Sequence, residues 1–202
     1  MLKIGITGGI GSGKSEVCLY FNQLNIASIN ADEIAKNVIH VDKSIQNQLR
    51  EKFGDNIFIS KKLNTNQLAS IVFTDKKKLA ILNSIIHPKT IEEIKKEIFL
   101  LSEKKHTYIL IESAIIFENN LQNMFDYTLL VTSNLDLRIE RIKLKTNLRE
   151  EDILKRIKMQ MNEESKKKIS DFIIENNETK LELKQKVTFF HKIFSAISRT
   201  KK

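Results

Sequence analysis

The clearest chemical signature in this chain is a run of eight residues near its N-terminus, Gly8–Ser15. They read Gly-Gly-Ile-Gly-Ser-Gly-Lys-Ser, the G-x-x-x-x-G-K-[ST] pattern of a phosphate-binding P-loop. A polyphosphate needs many converging N–H donors, so the backbone must wrap closely and adopt conformations that a Cβ would obstruct. An apolar run precedes the loop and a helical pattern follows it. This context predicts a nucleotide-binding loop.

Glycine usage and the last residues of the motif refine this prediction. Five of the 6 glycines fall within the first thirteen residues of the chain. Lys14 is expected to reach the β- and γ-phosphates, and the Ser15 hydroxyl is expected to bind Mg²⁺. The loop and the first turn of the next helix supply the expected ATP-binding residues, which are Gly9, Gly11, Ser12, Gly13, Lys14, Ser15 and Glu16.

A carboxylate follows the third predicted strand, 108–111. Glu112 directly follows this fully apolar run. The arrangement resembles a Walker B acid, which positions a carboxylate near the metal of a P-loop site. A role at the N-terminus of a following helix is the alternative. The functional interpretation makes Glu112 a metal-site residue together with Ser15.

Asp32 is the sequence's candidate for the base of a phosphoryl transfer. It lies just past the predicted second strand, 26–29, at the edge where ligands bind in open α/β sheets. An ionised carboxylate there could accept a proton from a substrate hydroxyl. It could equally complement the dipole of the helix that begins at this point. The residue types alone leave both roles open.

A strongly charged helical stretch, 135–168, carries the remaining cations of interest. Arg138 and Arg141 lie three residues apart, and Lys145 lies four beyond Arg141, so each pair shares a helix face. A basic segment poor in large apolar residues suits a lid that closes over ATP and excludes water. A solvated surface helix is the alternative interpretation.

Strand patterns alternate with helical ones along the chain. This alternation predicts an α/β fold, a parallel doubly wound sheet with right-handed crossovers. A helical insertion is expected between the second and third strands. The predicted single domain divides into a nucleotide-binding core of 1–32, 105–135 and 169–202, a helical subdomain of 33–104 and a lid of 136–168.

Composition limits the partners. The 202 residues carry a formal net charge of +9, which favours anionic ligands. The basic runs are not interleaved with aromatic residues, so nucleic acid is not expected as a partner. No run approaches the length of a membrane span, no secretory signal is evident, and the 1 cysteine cannot form an internal disulfide. A cytoplasmic protein is expected, without membrane partners.

Several separate segments, taken together, resemble one family over nearly the whole chain. The chain resembles dephospho-CoA kinase in the motifs Thr7–Ser15, Asn30-Ala31-Asp32, Leu82-Asn83 with His87-Pro88, Glu112–Glu118, Ile139-Glu140-Arg141 and Asp171–Asn176. The resemblance implies the P-loop kinase fold with a helical CoA-substrate domain and a helical lid. It also implies ATP-dependent phosphorylation of the ribose 3′-hydroxyl of dephospho-CoA, the last step of coenzyme A synthesis, with Mg²⁺.

The resemblance also implies roles for particular residues. Asp32 falls on the family's proposed catalytic base, and His87 on its His-Pro pair near the acceptor. Arg141 falls on a lid arginine. Asn176, the last residue of the Asp171–Asn176 motif, is expected to bind ATP. The catalytic set is therefore Asp32, Lys14 and Arg141.

The chain departs from the family pattern at four places. Asn30 replaces the first acid of Asp-Ala-Asp, which leaves Asp32 as the sole candidate base. Glu112 replaces an aspartate, with Ala114 where the family has proline. Lys145 stands where a second lid arginine is common and lacks its bidentate fork. Glu16 replaces a threonine, so only its backbone N–H suits a phosphate.

The leading hypothesis has alternatives in other classes. Another nucleoside or nucleotide kinase of the P-loop superfamily differs only in its acceptor. A GTPase-type switch lacks its Asn-Lys-x-Asp motif here. A nucleic-acid-binding ATPase is supported by net charge alone. ATP and dephospho-CoA are the expected partners of a monomer or weak homo-oligomer.

Overall fold

The computed structural model describes residues 1–59, 62–104 and 106–200. Its strands are β1 (Leu2–Thr7), β2 (Ser28–Asn30), β3 (Phe58–Ile59), β4 (Lys62–Leu63), β5 (Tyr108–Glu112), β6 (Tyr127–Thr132) and β7 (Phe172–Glu175). Its α-helices are α1 (Lys14–Gln23), α2 (Ala31–Val41), α3 (Lys43–Phe53), α4 (Thr65–Val72), α5 (Lys76–Glu103), α6 (Leu135–Lys145), α7 (Glu150–Met159), α8 (Glu163–Ile169) and α9 (Lys180–Thr200). Short 3₁₀ helices cover Asp55–Ile57 and Gln122–Met124.

The main sheet is parallel and has the order β2-β5-β1-β6-β7. Central strands buried on both faces need continuous apolar runs, and every residue of β5 is buried. All the strands end at the same edge, so residues that follow them converge there. The predicted parallel α/β fold is confirmed.

The hydrophobic core beside this sheet is built from α1 and α9. Phe21 of α1 and Phe194 of α9 are fully buried and stack with ring centroids 6.3 Å apart. Tyr108 of β5 contacts both rings edge-on. This packing fixes the direction of α1, and with it the P-loop at the N-terminal end of that helix.

The described chain forms two compact units. The first unit comprises Met1–Asn30 and the described residues of Phe99–Lys202. The second comprises the described residues of Ala31–Ile98. The second unit contains α2, α3, α4, most of α5 and the short strands β3 and β4. The sequence predicts a helical subdomain with boundaries at 33 and 104. Residue 105, where the second segment of the predicted core begins, lies outside the described residues.

The helical unit differs from the sequence interpretation in two respects. It contains an antiparallel strand pair, Phe58 opposite Leu63 and Ile59 opposite Lys62, where an almost wholly helical segment was expected. The apolar spacing over 79–82 and over 91–98 predicts two separate helices on either side of His87-Pro88, whereas one helix, α5, passes through Pro88. Proline removes one helical N–H donor.

The charged stretch after β6 forms α6, α7 and α8 within the first unit. Ile142 and Ile153 are buried, and Asn162 caps α8 by accepting a hydrogen bond from the Ser165 N–H at 2.7 Å. Within the described residues, none of the helices is both long and apolar enough to cross a bilayer.

Candidate active site

The P-loop follows β1 and leads directly into α1. Gly11 and Gly13 have φ of 80° and 97°, values that side chains with a Cβ rarely adopt. A Cβ at Gly13 would lie 2.2 Å from Nδ2 of Asn176, and one at Gly11 would lie 2.6 Å from the Arg138 carbonyl oxygen. Both glycines are therefore required by backbone conformation and by close packing.

Lys14 is the first residue of α1 and is buried, with 8% of its surface exposed. Its ammonium donates to the Gly8 carbonyl oxygen at 3.0 Å. This bond holds the Lys14 ammonium against the P-loop, at the positive N-terminal end of α1. The side-chain oxygen of Ser12, in the same loop, is buried and accepts or donates no hydrogen bond within the described residues. The loop thus presents polar groups suited to an anion.

Ser15 and Glu112 meet at the carboxyl edge of the sheet. The Ser15 hydroxyl donates to Oε1 of Glu112 at 2.8 Å, and Glu112 is 6% exposed. A hydroxyl and a carboxylate are oxygen ligands of the kind that Mg²⁺ takes alongside phosphate oxygens. The donor set therefore fits Mg²⁺. The described residues contain no cluster of three or more His, Cys, Asp or Glu side chains for a metal.

Cys18 lies one turn beyond Ser15 on α1 and is 4% exposed. Burial raises the pKa of its thiol well above the ordinary value. The charge of Glu112 and a hydrogen bond to that carboxylate raise this pKa further, and Lys14 opposes the shift. Cys18 therefore stays protonated beside Glu112.

Arg141 is connected to the P-loop through Asn176. Its guanidinium donates to the Ser133 hydroxyl and to the Asn176 carbonyl oxygen, each at 3.0 Å. Asn176 in turn donates from Nδ2 to the Ser12 carbonyl oxygen at 2.8 Å. The segments after β6 and β7 thus hold Arg141 of α6 near the P-loop. A Cβ added at Gly13 would lie 4.0 Å from Nη1 of Arg141.

Arg138 contacts the P-loop directly. Its Nε donates to the Ile10 carbonyl oxygen at 2.9 Å, and its Nη1 lies 3.4 Å from Oε2 of Glu163. Only 7% of Arg138 is exposed, and burial lowers the pKa of its guanidinium. Its position in the sequence predicts a lid cation. In the structure its charge is engaged with the loop backbone and with Glu163.

Two departures from the family pattern have different surroundings. Lys145 is the last residue of α6 and is exposed. Glu16 directs its carboxylate toward Lys180 of α9, 3.8 Å away. Its backbone N–H donates to the Gly13 carbonyl oxygen at 3.1 Å.

The predicted acceptor residues belong to the helical unit. Asp32 is the second residue of α2, two positions after the end of β2. His87 is half-buried within α5, and burial lowers the pKa of its imidazole. Between these two helices lies a groove of about 480 Å³. Its lining residues are Ile34, Asn37, Val38, Val41, Asp42, Lys89, Glu93 and Glu97.

Sequence reasoning missed several residues that shape the P-loop surroundings. Gln160 accepts a hydrogen bond from the Ile10 N–H at 2.8 Å. Lys166, 1% exposed, lies 2.7 Å from Oε1 of Glu118 and donates to the Ala114 carbonyl oxygen at 3.3 Å. Lys166 belongs to a run of three lysines, and no pattern in the sequence distinguishes the buried one.

Comparison with known proteins gives consistent matches. The family model described as dephospho-CoA kinase matches residues 2–182. The dephospho-CoA kinase of Thermobifida fusca is 33% identical over 188 residues, which cover 93% of this chain and 93% of that protein. The solved dephospho-CoA kinase from Campylobacter jejuni is 25% identical, with a TM-score of 0.69, and the match covers 99% of this chain and 98% of that one. A solved structure from Thermus thermophilus gives a TM-score of 0.79 at 28% identity, over 94% of this chain and 97% of that one.

Proposed function

The chain belongs to the dephospho-CoA kinase family, and we propose that it transfers the γ-phosphoryl group of ATP to the ribose 3′-hydroxyl of dephospho-CoA. The products are coenzyme A and ADP. The observation that carries the proposal on this chain is the Ser15–Glu112 pair, 2.8 Å apart beside the P-loop lysine. A phosphate cradle, a cation and an oxygen donor pair for a metal are the parts that phosphoryl transfer requires.

The nucleotide side of the reaction uses the P-loop unit. Backbone N–H groups of the P-loop bind the phosphates, other than those of Ile10, Ser12 and Glu16, which donate to protein oxygens. Lys14 leaves the Gly8 carbonyl to contact the β- and γ-phosphates. Arg141 neutralises charge on the transferring group from the other side. Its fork, already oriented by Ser133 and by the Asn176 carbonyl, needs little reordering when ATP binds.

Mg²⁺ is the proposed cofactor. Ser15 and Glu112 would hold it together with phosphate oxygens. When bound, it supplies positive charge to the β- and γ-phosphates. Glu112 keeps the Ser15 hydroxyl oriented, because that hydroxyl donates to the carboxylate.

The acceptor side uses the helical unit. Asp32 accepts the proton of the 3′-hydroxyl as this oxygen attacks the γ-phosphorus, and the bond to the β-phosphate oxygen breaks. His87 contacts the acceptor as a neutral imidazole, since burial lowers its pKa. Asp32 and His87 lie on α2 and α5 of this unit, and the groove between these helices is lined by other residues of the same segments. We propose that the enzyme acts in the cytoplasm as a monomer or weak homo-oligomer.

The test of the acceptor is ADP release by the purified protein with Mg-ATP. Dephospho-CoA is compared with adenosine, AMP, shikimate and no acceptor. Turnover with dephospho-CoA alone supports the proposal. Turnover with another acceptor, or equal turnover without one, refutes it.

The proposed base is tested by Asp32→Asn, which keeps the side-chain shape and removes the proton acceptor. Turnover is expected to fall by about two orders of magnitude or more while ATP affinity is retained. Asp55→Asn is the matched control in the same unit, because the Asp55 side chain is 91% exposed. Unchanged turnover in Asp32→Asn would reduce Asp32 to a residue that complements the α2 dipole.

A further inference from the structure

The peptide groups on both sides of Ile10, at the tip of the P-loop, are held by side chains distant in sequence. The Ile10 N–H donates to Oε1 of Gln160 at 2.8 Å, and the Ile10 carbonyl accepts from Nε of Arg138 at 2.9 Å. The first bond spans 150 positions and the second 128. Gly9 and Gly11 flank Ile10, so the residues around it have no side chains with which to fix these two peptide planes.

Such a loop loses much conformational freedom when it closes around a phosphate. Glycine gives up more backbone freedom than any other residue on ordering. A ligand that must order its own binding loop pays for this in affinity, whereas a loop fixed beforehand binds more tightly. Contacts that hold the Ile10 peptide groups therefore act on nucleotide binding even though they lie on the protein side of the loop.

The two side chains are themselves anchored. Gln160 follows the end of α7, where its N–H donates to the Ile157 carbonyl at 3.1 Å. The next residue, Met161, donates its N–H to Oε1 of Glu118 at 2.9 Å. Arg138 is 7% exposed and lies against Glu163 at the start of α8. Both contacts with Ile10 thus extend from ordered, partly buried structure.

We propose that Gln160 and Arg138 are positioning residues that preorganise the P-loop for nucleotide phosphates by fixing the peptide groups on both sides of Ile10. Neither residue contacts a reacting atom in this role. Arg138 acts through the loop backbone, unlike Arg141. The inference deepens the proposed function on its nucleotide side, and it requires only that the loop bind ADP or ATP, whatever the acceptor.

The test uses Gln160→Met in the full chain, which keeps side-chain length and removes the acceptor for the Ile10 N–H. Gln185→Met is the matched control, because Gln185 is exposed on α9. Binding of Mg-ADP is measured by calorimetry, and hydrogen exchange of the Ile10 amide is followed by NMR in the nucleotide-free protein. Gln160→Met is expected to bind ADP three- to tenfold more weakly and to exchange the Ile10 amide faster. The control is expected to match the wild type in both.

Arg138→Lys provides a second variant, which keeps the charge and removes the Nε donor. It is expected to weaken ADP binding in the same direction. The affinity of each variant for dephospho-CoA distinguishes positioning from general damage. A selective loss of ADP affinity supports the inference. Wild-type ADP affinity in Gln160→Met, or equal losses for ADP and dephospho-CoA, overturns it. Loss of ADP affinity in a protein that does not phosphorylate dephospho-CoA leaves this inference standing and refutes only the proposed acceptor.

Discussion

The P-loop, residues 8–15, and the charged stretch, residues 135–168, contact each other but are built differently. In the P-loop the backbone forms the site, and glycines at Gly11 and Gly13 permit its conformation. In the charged stretch side chains make the contacts, and neighbouring cations have very different surroundings. Lys166 is 1% exposed and paired with Glu118, whereas the side chain of Lys167 is 32% exposed. A site formed by the backbone depends on which residue types permit its conformation. A site formed by side chains depends on which partner lies beside each side chain in the folded protein.

The sharpest test of this difference is a pair of variants, Lys166→Met and Lys167→Met. Removing Lys166 leaves the carboxylate of Glu118, whose side chain is 15% exposed, without its cation, so a loss of about 3 kcal/mol in unfolding free energy is expected. Lys167 is partly exposed and its ion pairs with Glu163 and Glu164 lie nearer to solvent, so a smaller loss is expected when it is removed. Denaturant unfolding of both variants provides the measurement. Equal losses of unfolding free energy in the two variants would show that the burial of Lys166 does not make its ion pair more stabilising than those of Lys167.

Within the P-loop, the largest expected functional effect comes from Ser15→Ala. The variant removes a proposed oxygen ligand and the donor that orients Glu112. The Mg²⁺ concentration needed for half-maximal turnover is expected to rise about 10- to 100-fold, as for other disrupted metal surroundings. A titration of activity with Mg²⁺ measures it, with Ser102→Ala on α5 as the control. An unchanged Mg²⁺ requirement would remove Ser15 from the metal site.

The two arginines of α6 allow a comparison at the contact between the regions. Arg141→Lys keeps the positive charge but loses the fork that reaches Ser133 and the Asn176 carbonyl together. A fall in kcat of about tenfold is expected, since a disoriented charge stabilises the transferring phosphoryl group less well. Steady-state kinetics beside Arg199→Lys, an exposed position on α9, provides the test. A kcat equal to that of the control would show that a single charge suffices.

The smallest expected effect concerns Cys18, behind the P-loop. Burial, and then the charge and hydrogen bond of Glu112, raise the pKa of this thiol well above 9.0. The folded state therefore keeps a proton that the unfolded state releases. The stability from this site is full below about pH 9.0 and declines as the pH rises through the folded pKa, by at most about 1.4 kcal/mol per pH unit. Unfolding of wild type and Cys18→Ala from pH 8 to 10 should show a shallower decline in the variant. Parallel curves, or rapid alkylation of the native thiol, would contradict the shift.

Much of the fold could be predicted from the sequence, because its signals are local. The apolar run of β5, the glycines of the loop and the strand–helix alternation each depend on neighbouring residues. The fold class and the family assignment are both confirmed. The continuous helix through Pro88 and the strand pair β3–β4 were missed, because context overrode local preference there.

The candidate site divides in the same way. The pattern of residues 8–15 indicated Lys14 and Ser15 directly, and the roles of Asp32 and His87 stay predictions derived from family resemblance. The sequence assigned Ser15 and Glu112 to one metal site, which stays a prediction, whereas their direct hydrogen bond is seen only in the structure. Gln160 was not anticipated, because no local pattern marks a glutamine whose partner lies 150 positions away.

The sequence by itself identified the phosphate-binding motif, because the loop conformation requires glycine at fixed spacing and the helix that follows supplies lysine and serine. Only the tertiary structure decided how the cations of the charged stretch are used. Arg138 holds the Ile10 carbonyl, Arg141 reaches Asn176, and Lys166 is buried with Glu118. In the sequence all three are cations within helical patterns, and nothing local distinguishes their roles. Their environments differ because burial brings each one to a partner far away along the chain.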